Sequence, residues 1–410
     1  MRKIFLQIGA SRDGQNPYSA VAKREGYFTV LAETADVVDH LSLPFDLILR
    51  LDRPEQPWEV MQAYLAAGLL EPPRVVVAGF DACNASAGRV RAMLASPTAG
   101  HVFVPLDKYA QRMALKKACA RFPQPEFRFF ASPLSILAAR DALLYPCVIK
   151  PVDGGGGRGI WLLQRASQLD QVIARLMETV NDGGRRFSGF IVECWLPGDE
   201  YSLQGIVHNG RALALTCCQK VIEQHSDGDG GISFYEAGHV AVAAHALPAP
   251  FASLMAFCCE TFAYHQGAFH IDFIVVDGVP HFLEMGFRLS GMGVVNLVQE
   301  ATGINWAELA FSVEAGLRLP PLRFTHEMRA VGQLRLRQPA QLLRAQRWIE
   351  QHQCGSLLPR SAPNNDLTRH AAMLSTFHLT AAARDDVLAV FQQIIQAHPV
   401  IRRRNLLCAE

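Results

Sequence analysis

Near the start of the chain, short β-rich apolar runs alternate with stretches of helical spacing. The runs are KIFLQIG (3–9), YFTVLAE (27–33), FDLILRL (45–51), RVVVAGF (74–80) and HVFVPL (101–106), and PWEVMQAYLAAGLL (57–70) is typical of the segments between them. This alternation predicts a parallel sheet with crossover helices, a Rossmann-like layer over residues 1 to about 105. Its first turn, Gly9-Ala10-Ser11-Arg12-Asp13-Gly14, is too irregular for a dinucleotide-binding fingerprint. From Asp107 the run DKYAQRMALKKACARF (107–122) predicts a charged amphipathic helix that stops at Pro123-Gln124-Pro125. Shorter segments then lead to the strand Cys147-Val148-Ile149-Lys150 and a glycine run, where a new domain begins. Near Leu317 to Pro321 the chain reads as a linker. After it, strands (MRAVGQLRLRQ, MLSTFHLT) alternate with helices (AQLLRAQRWIEQH, AARDDVLAVFQQIIQAH), without internal repeats or low-complexity stretches.

Composition narrows the class. With 410 residues, half of them hydrophobic, the chain can bury more than one core. Its 39 basic and 38 acidic residues leave a net charge of +1, so nothing announces nucleic acid or an anionic membrane. Arg402-Arg403-Arg404 reads as a solvated tail. The opening MRKIFLQIGASRDG breaks its apolar run at Gly9 and reads as a first strand rather than a signal peptide. No stretch approaches the roughly 18 to 20 apolar residues that span a bilayer. Ten scattered cysteines with no CxxC pair read as reduced thiols in a cytoplasmic protein, ahead of a zinc site or a catalytic cysteine.

Three stretches carry chemistry. Lys150-Pro151-Val152-Asp153-Gly154-Gly155-Gly156-Gly157-Arg158-Gly159-Ile160 lies between two strand-like runs. Glycines let backbone N–H groups approach a phosphate chain, and a lysine at the edge offsets its charge. The run reads as a phosphate flap, with a plain hairpin loop as the alternative. The second stretch runs from Phe190 to Ser202 as FIVECWLPGDEYS. A strand that stops and resumes can offer backbone groups to an adenine edge while Glu193 and Glu200 accept hydrogen bonds, although alone it is only a hairpin. In the third, Asp272 and Glu284 sit among apolar residues on two strands joined by Asp277-Gly278. Buried carboxylates side by side repel unless a cation joins them, and oxygen ligands near phosphate imply magnesium. An ion pair of one of them with Arg288 is the alternative.

Taken in order, Lys108 on a helix, Lys150 before a glycine-rich flap, Glu193 and Glu200 around a hinge, then Asp272, Glu284 and Arg288 resemble the ATP-grasp superfamily over residues from about 106 to 315. The resemblance implies an α/β (α+β) fold with an N-terminal Rossmann-like pre-ATP-grasp domain (1–105), an ATP-grasp domain (106–316, lid about 127–193) and a C-terminal α/β segment (317–410). It implies that Lys108 and Lys150 hold ATP phosphates under a flap of Gly154, Gly155, Gly156, Gly157, Arg158 and Gly159. Glu193, with backbone at Cys194, Trp195 and Leu196, would meet adenine, and Glu200 the ribose. Asp272 and Glu284 would bind Mg2+, and Arg288 would fix a substrate carboxylate. One position departs from the pattern: the usual Glu-x-Asn-x-Arg reads Glu284-Met285-Gly286-Phe287-Arg288, so the asparagine ligand is missing.

The glycine run and Gln219-Lys220-Val221-Ile222-Glu223 are similar to biotin-dependent carboxylases. Pro197-Gly198-Asp199-Glu200-Tyr201-Ser202, Glu236-Ala237-Gly238-His239 and Arg288-Leu289-Ser290-Gly291 are similar to L-amino-acid ligases, and no Met-Lys-Met biotin motif occurs. The expectation is an ATP- and Mg2+-dependent ligase that joins a small-molecule carboxylate to an amine through an acyl phosphate. Lys220 would offset charge, and Glu236 and His239 would orient or deprotonate the amine. A carboxylase-like enzyme and a nucleotide-binding protein with attenuated turnover stay open. Neither nucleic acid nor membrane is an expected partner, and a homodimer is common among similar proteins.

Overall fold

A strand covered on both faces of its sheet needs nearly continuous apolar side chains, and β1 (Ile4–Ile8) is buried throughout. Its one polar residue, Gln7, donates to the Gly9 carbonyl and to Asn16 Oδ1. β2 (Phe28–Thr34), β3 (Leu47–Leu51) and β4 (Val75–Ala78) join it in a parallel sheet of order β3-β2-β1-β4. In this computed structural model the described residues are 2–395 apart from 12–14, 41–42, 95–102, 104, 182–183, 227–229, 246, 320–321, 325–328 and 360–372. Half of the fifth expected run, part of the first turn and the Arg402–Arg404 cluster lie outside them. The described residues of that fifth run, Phe103 among them, are not in a strand.

The remaining strands are β5 (Phe127–Phe130), β6 (Cys147–Pro151), β7 (Trp161–Leu163), β8 (Phe190–Cys194), β9 (Asp199–His208), β10 (Arg211–Ser226), β11 (Ile232–Ala243), β12 (Gly267–Val276), β13 (Val279–Gly286), β14 (Ala330–Leu336), β15 (Ser356–Leu358) and β16 (Ser375–Ala381). They form one 12-stranded sheet whose main path is β13-β12-β9-β10-β11-β7-β6-β8-β5. The strands after Leu317 do not stand apart: β14 pairs antiparallel with β11 and carries β16. β12 and β13 are joined by the two-residue turn Asp277-Gly278, with φ of +50° and +79°, the primed geometry that suits a twisted hairpin.

The charged helix begins at Lys108, where Asp107 accepts the Ala110 N–H at 2.7 Å as an N-cap, and ends at Ala118, short of Pro123. It is pinned to β13 by Gln111, which donates to the Met285 carbonyl and accepts the Met285 N–H. Between the two sheets lies a continuous apolar core in which Phe5, Tyr18 and Val77 meet Ile206, Trp306 and Phe311. The Trp306 indole also donates to the Gly205 carbonyl at 3.0 Å, so this large side chain buries without leaving its N–H orphaned. Among the described residues, no helix is long and apolar enough to cross a membrane, and the described cysteines are all free thiols.

Candidate functional site

The glycine run connects β6 to β7, two antiparallel neighbours, as its flanking apolar runs predict. Gly156, Gly157 and Gly159 have φ of +57°, +73° and +76°, which a residue with a Cβ adopts only at a cost. At the base of the loop, the Lys108 ammonium donates to the Gly154 carbonyl at 2.6 Å.

Four ion-paired groups gather around this loop and the polar face of the large sheet. Lys108 also pairs with Glu284 at 2.6 Å. Burial alone would lower the Lys108 pKa, but the carboxylates of Glu284, Asp81 and Asp272 together raise it. Those three therefore stand in the field of one ammonium.

The second group is fully buried. Glu193 accepts from Lys150 at 2.8 Å through one oxygen and from Arg112 at 2.8 Å through the other. Arg112 lies one turn after Lys108 on the same helix and also donates to the Leu283 carbonyl. Burial, with the Arg112 charge adding to it, outweighs the pull of Glu193 and brings the Lys150 pKa down to about 8. For Glu193 burial acts upward, but the two cations win and hold it below the usual carboxylate range. The resemblance places Glu193 beside adenine, whereas here both its oxygens face protein cations. Of the hinge backbone, the Cys194 and Trp195 N–H groups already donate to the Glu126 and Pro146 carbonyls, and Leu196 accepts from Gly198.

The third group centres on Lys220, whose ammonium lies 2.7 Å from Glu200, 2.5 Å from Asp272 and 3.4 Å from Glu236. Ser202 donates to the other Asp272 oxygen at 2.6 Å. Against the cost of burial, these carboxylates push the Lys220 pKa well up, while Glu200, buried beside two other acids, is pushed up as well. His239 Nε2 meets Glu236 at 3.0 Å. Lys220, Glu200, Asp272, Glu236 and His239 are thus one constellation spanning β9 to β12, brought together by register: Lys220 is opposite His239, and Asp272 is opposite both Ser202 and Glu284.

The fourth group links the sheets. Arg288 donates bidentately to Asp81, with Nε at 2.8 Å from Oδ1 and Nη2 on Oδ2, and Nη1 donates to the Leu289 carbonyl. Asp81 follows β4, at the carboxyl end of the parallel strands, where ligands bind in such sheets. The predicted alternative of Arg288 pairing with Asp272 or Glu284 is not what occurs: those carboxylates face Lys220 and Lys108. Beyond Arg288, Leu289, Ser290 and Gly291 line a cavity with Gln7 of β1 and with Asn16 and Tyr18 at the start of the helix Pro17–Arg24.

Asp272 and Glu284 stand directly across β12 and β13. Among the described residues no three His, Cys, Asp or Glu side chains cluster to hold a metal ion by themselves. Two opposed carboxylates still fit magnesium, which commonly takes one or two protein carboxylates and fills its octahedron with phosphate oxygens and water. At the missing ligand, Gly286 faces the buried His270 imidazole, which fills the space a side chain there would need.

Sequence reasoning missed Arg112, Asp81, His270 and Arg335. Two had a signal: Arg112 follows Lys108 by four residues on one helix face, and Asp81 comes three residues after the end of β4 in the parallel sheet. His270 stands two residues before Asp272 and Arg335 two after Gln333, but nothing in the sequence shows what either side chain meets.

Residues 106–292 match the family described as the ATP-grasp domain. The chain is 24% identical over 189 residues to dapdiamide A synthase of Enterobacter agglomerans, covering 45% of this chain and 42% of that protein. It is 26% identical over 230 residues to formate-dependent phosphoribosylglycinamide formyltransferase of Pectobacterium carotovorum, covering 54% and 55%. The matches thus span about half the length of these relatives. Among solved structures, L-amino acid ligase from Bacillus licheniformis superposes with a TM-score of 0.68 at 17% identity, covering 97% of this chain and 98% of that one. Carboxyaminoimidazole ribonucleotide synthase from Aspergillus clavatus, complexed with ATP, gives 0.65 at 14%, covering 96% and 98%. The likeness shows a shared ATP-grasp fold.

Proposed function

We propose, from the match of residues 106–292 to the ATP-grasp domain family, that this chain is an ATP- and magnesium-dependent carboxylate–amine ligase acting on an amino acid or similar small acid. The observation that carries the reading is three ammonium groups gathered along one sheet, Lys108 on Glu284 and Lys220 on Asp272, the two opposed carboxylates, and Lys150 on Glu193, with Arg288 at the edge facing the first sheet. Cations held by carboxylates in the ligand-free state can exchange those partners for phosphate and substrate.

In this reading Lys108 and Lys150 hold the phosphate chain beneath the Gly154–Gly159 loop, the hinge at Cys194–Leu196 meets the base, and Glu200 the ribose. Glu193 holds Lys150 in place rather than touching adenine. Asp272 and Glu284 would hold magnesium, which when bound would offset charge on the phosphates. A carboxylate oxygen of the acid, fixed by Arg288, attacks the γ-phosphorus, and the bond to the leaving ADP oxygen breaks. The amine nitrogen then attacks the acyl carbon, the carbon–oxygen bond to phosphate breaks, and the proton of the amine passes to the departing phosphate. Lys220 offsets the charge that spreads in both steps, and Glu236 orients the amine. The loop excludes water that would hydrolyse the acyl phosphate. Division into units 1–105, 106–316 and 317–410, a cytoplasmic location and a homodimer belong to the same proposal.

Phosphate release should be scored with ATP, Mg2+, a panel of amino acids taken singly and in pairs, and formate, which the second relative's name makes a candidate acid. The proposal expects release that needs an acid and an amine together and stops with EDTA. Release driven by bicarbonate alone would favour the carboxylase reading instead.

A further inference from the structure

Arg335 lies on β14, beyond the matched ATP-grasp residues, yet it reaches into the third group and is only 3% exposed. Its Nη1 donates to the Glu236 carbonyl at 2.7 Å, and its Nη2 donates to the Met292 carbonyl at 3.1 Å and stands 3.4 Å from His239 Nδ1. A guanidinium has donors only. The imidazole nitrogen that faces it must therefore accept, which leaves the ring proton on Nε2, where it meets Glu236 Oε1 at 3.0 Å. With both nitrogens engaged, His239 is no base for an amine, contrary to one half of the sequence expectation.

The same guanidinium secures a second element. Met292 and Gly293 have φ of +63° and +76°, a sharp turn just after Arg288-Leu289-Ser290-Gly291. The Met292 carbonyl accepts from Arg335 and also from Gln333 at 2.5 Å, both on β14. One side chain thus ties strand β11, at Glu236 and His239, to the turn that carries Arg288 and lines the cavity.

We propose that Arg335 is a positioning residue: it holds His239 as the Nε2–H tautomer against Glu236 and anchors the Met292 turn, so that the Glu236 carboxylate and Arg288 keep a fixed spacing across the site. Its structural part stands without the ligase reading, and only the kinetic consequence rests on it. Nitrogen-15 NMR of the ligand-free full chain, labelled at histidine, tests it directly, the His239 signals being assigned by their absence in His239→Gln. The wild type should show a pyridine-type Nδ1 and a pyrrole-type Nε2. Arg335→Met should lose that pattern, to a tautomer mixture or an imidazolium, and Arg335→Lys, which keeps a donor, should retain it. A wild-type proton on Nδ1, or an unchanged pattern in Arg335→Met, would overturn the proposal. If Arg335→Met fails to fold, the wild-type spectrum alone still decides the tautomer. In any acid and amine pair that turns over, Arg335→Lys should raise KM for the substrates more than it lowers kcat; an unchanged KM with the expected spectra would count against the spacing role but leave the tautomer assignment standing.

Discussion

Replacing Gly286 by asparagine should destabilise the protein unless His270 is cut back at the same time. The two residues face each other across β12 and β13, and a Cβ at 286 would lie 2.1 Å from His270 Cε1, 2.4 Å from Nε2 and 2.8 Å from Nδ1. Carbon atoms pack at about 3.5 Å or more, so the ring would have to retreat by more than about 1 Å. It is buried, and its Nδ1 lies 3.4 Å from the Arg288 carbonyl, so the retreat would disturb Arg288 too. Gly286 is not among the residues with left-handed backbone, so the cost is overpacking rather than backbone strain: about 1–3 kcal/mol. His270→Ala alone opens a cavity where the ring was, and the double variant lets asparagine fill it. Contacting residues of this kind couple by about 0.5–3 kcal/mol, here with the sign that makes the pair less harmful than the sum. Urea melts of the four ligand-free proteins read the cycle. Gly286→Asn melting with the wild type, or strictly additive losses, would refute the steric argument. Any gain in metal affinity from the added amide oxygen should appear only in the double variant.

Glu193→Ala should cost about 3–5 kcal/mol of stability as well as nucleotide affinity, because Lys150 and Arg112 would be left buried without their partner; lost ATP affinity with unchanged melting would instead support a direct adenine contact. Glu284→Ala should abolish magnesium-dependent phosphate release while changing ligand-free stability by no more than about 1 kcal/mol, since Glu284 is 33% exposed and its pair with Lys108 is partly screened; wild-type turnover would make that carboxylate a mere partner of Lys108. Nucleotide affinity should fall as pH rises past about 8, where Lys150 loses its proton, by up to about tenfold per unit, and Lys150→Arg should flatten the profile. Ligand-free stability has the opposite slope from this group: between about 8 and 10.5 the unfolded lysine still binds a proton that the native one has released, so stability rises with pH. A pH-independent affinity in calorimetry would remove Lys150 from the phosphate site.

The parallel sheet was readable because its strands are mostly buried and so run nearly continuously apolar, with few polar positions such as Gln7 and Arg50, and the β6–β7 loop because its left-handed turns demand glycine. Asp277-Gly278 announced its hairpin in the same way. Individual charged residues were legible where a motif surrounded them, as at Lys150 and Arg288. Their partners were not. Glu193 looks like a hinge acceptor in one dimension, and only the packing of the Lys108–Ala118 helix against β13 and β8 brings Arg112 onto it. Asp81 and Arg288 are 207 positions apart, and no local pattern joins them. Gly286 illustrates the limit best: the sequence shows a missing side chain, but the ring that fills the gap belongs to a neighbour set by strand register.

If a carboxylate oxygen attacks phosphorus, oxygen-18 placed in the acid must pass into the released phosphate. L-amino acids labelled with oxygen-18 in the carboxylate would be incubated with ATP, Mg2+ and an amine partner, and the released phosphate read by phosphorus-31 NMR. Transfer of one labelled oxygen into phosphate for each amide formed is the predicted result. Phosphate that carries no label, released from ATP in the presence of the same acids, would mean that water or another group is the nucleophile and that no acyl phosphate forms.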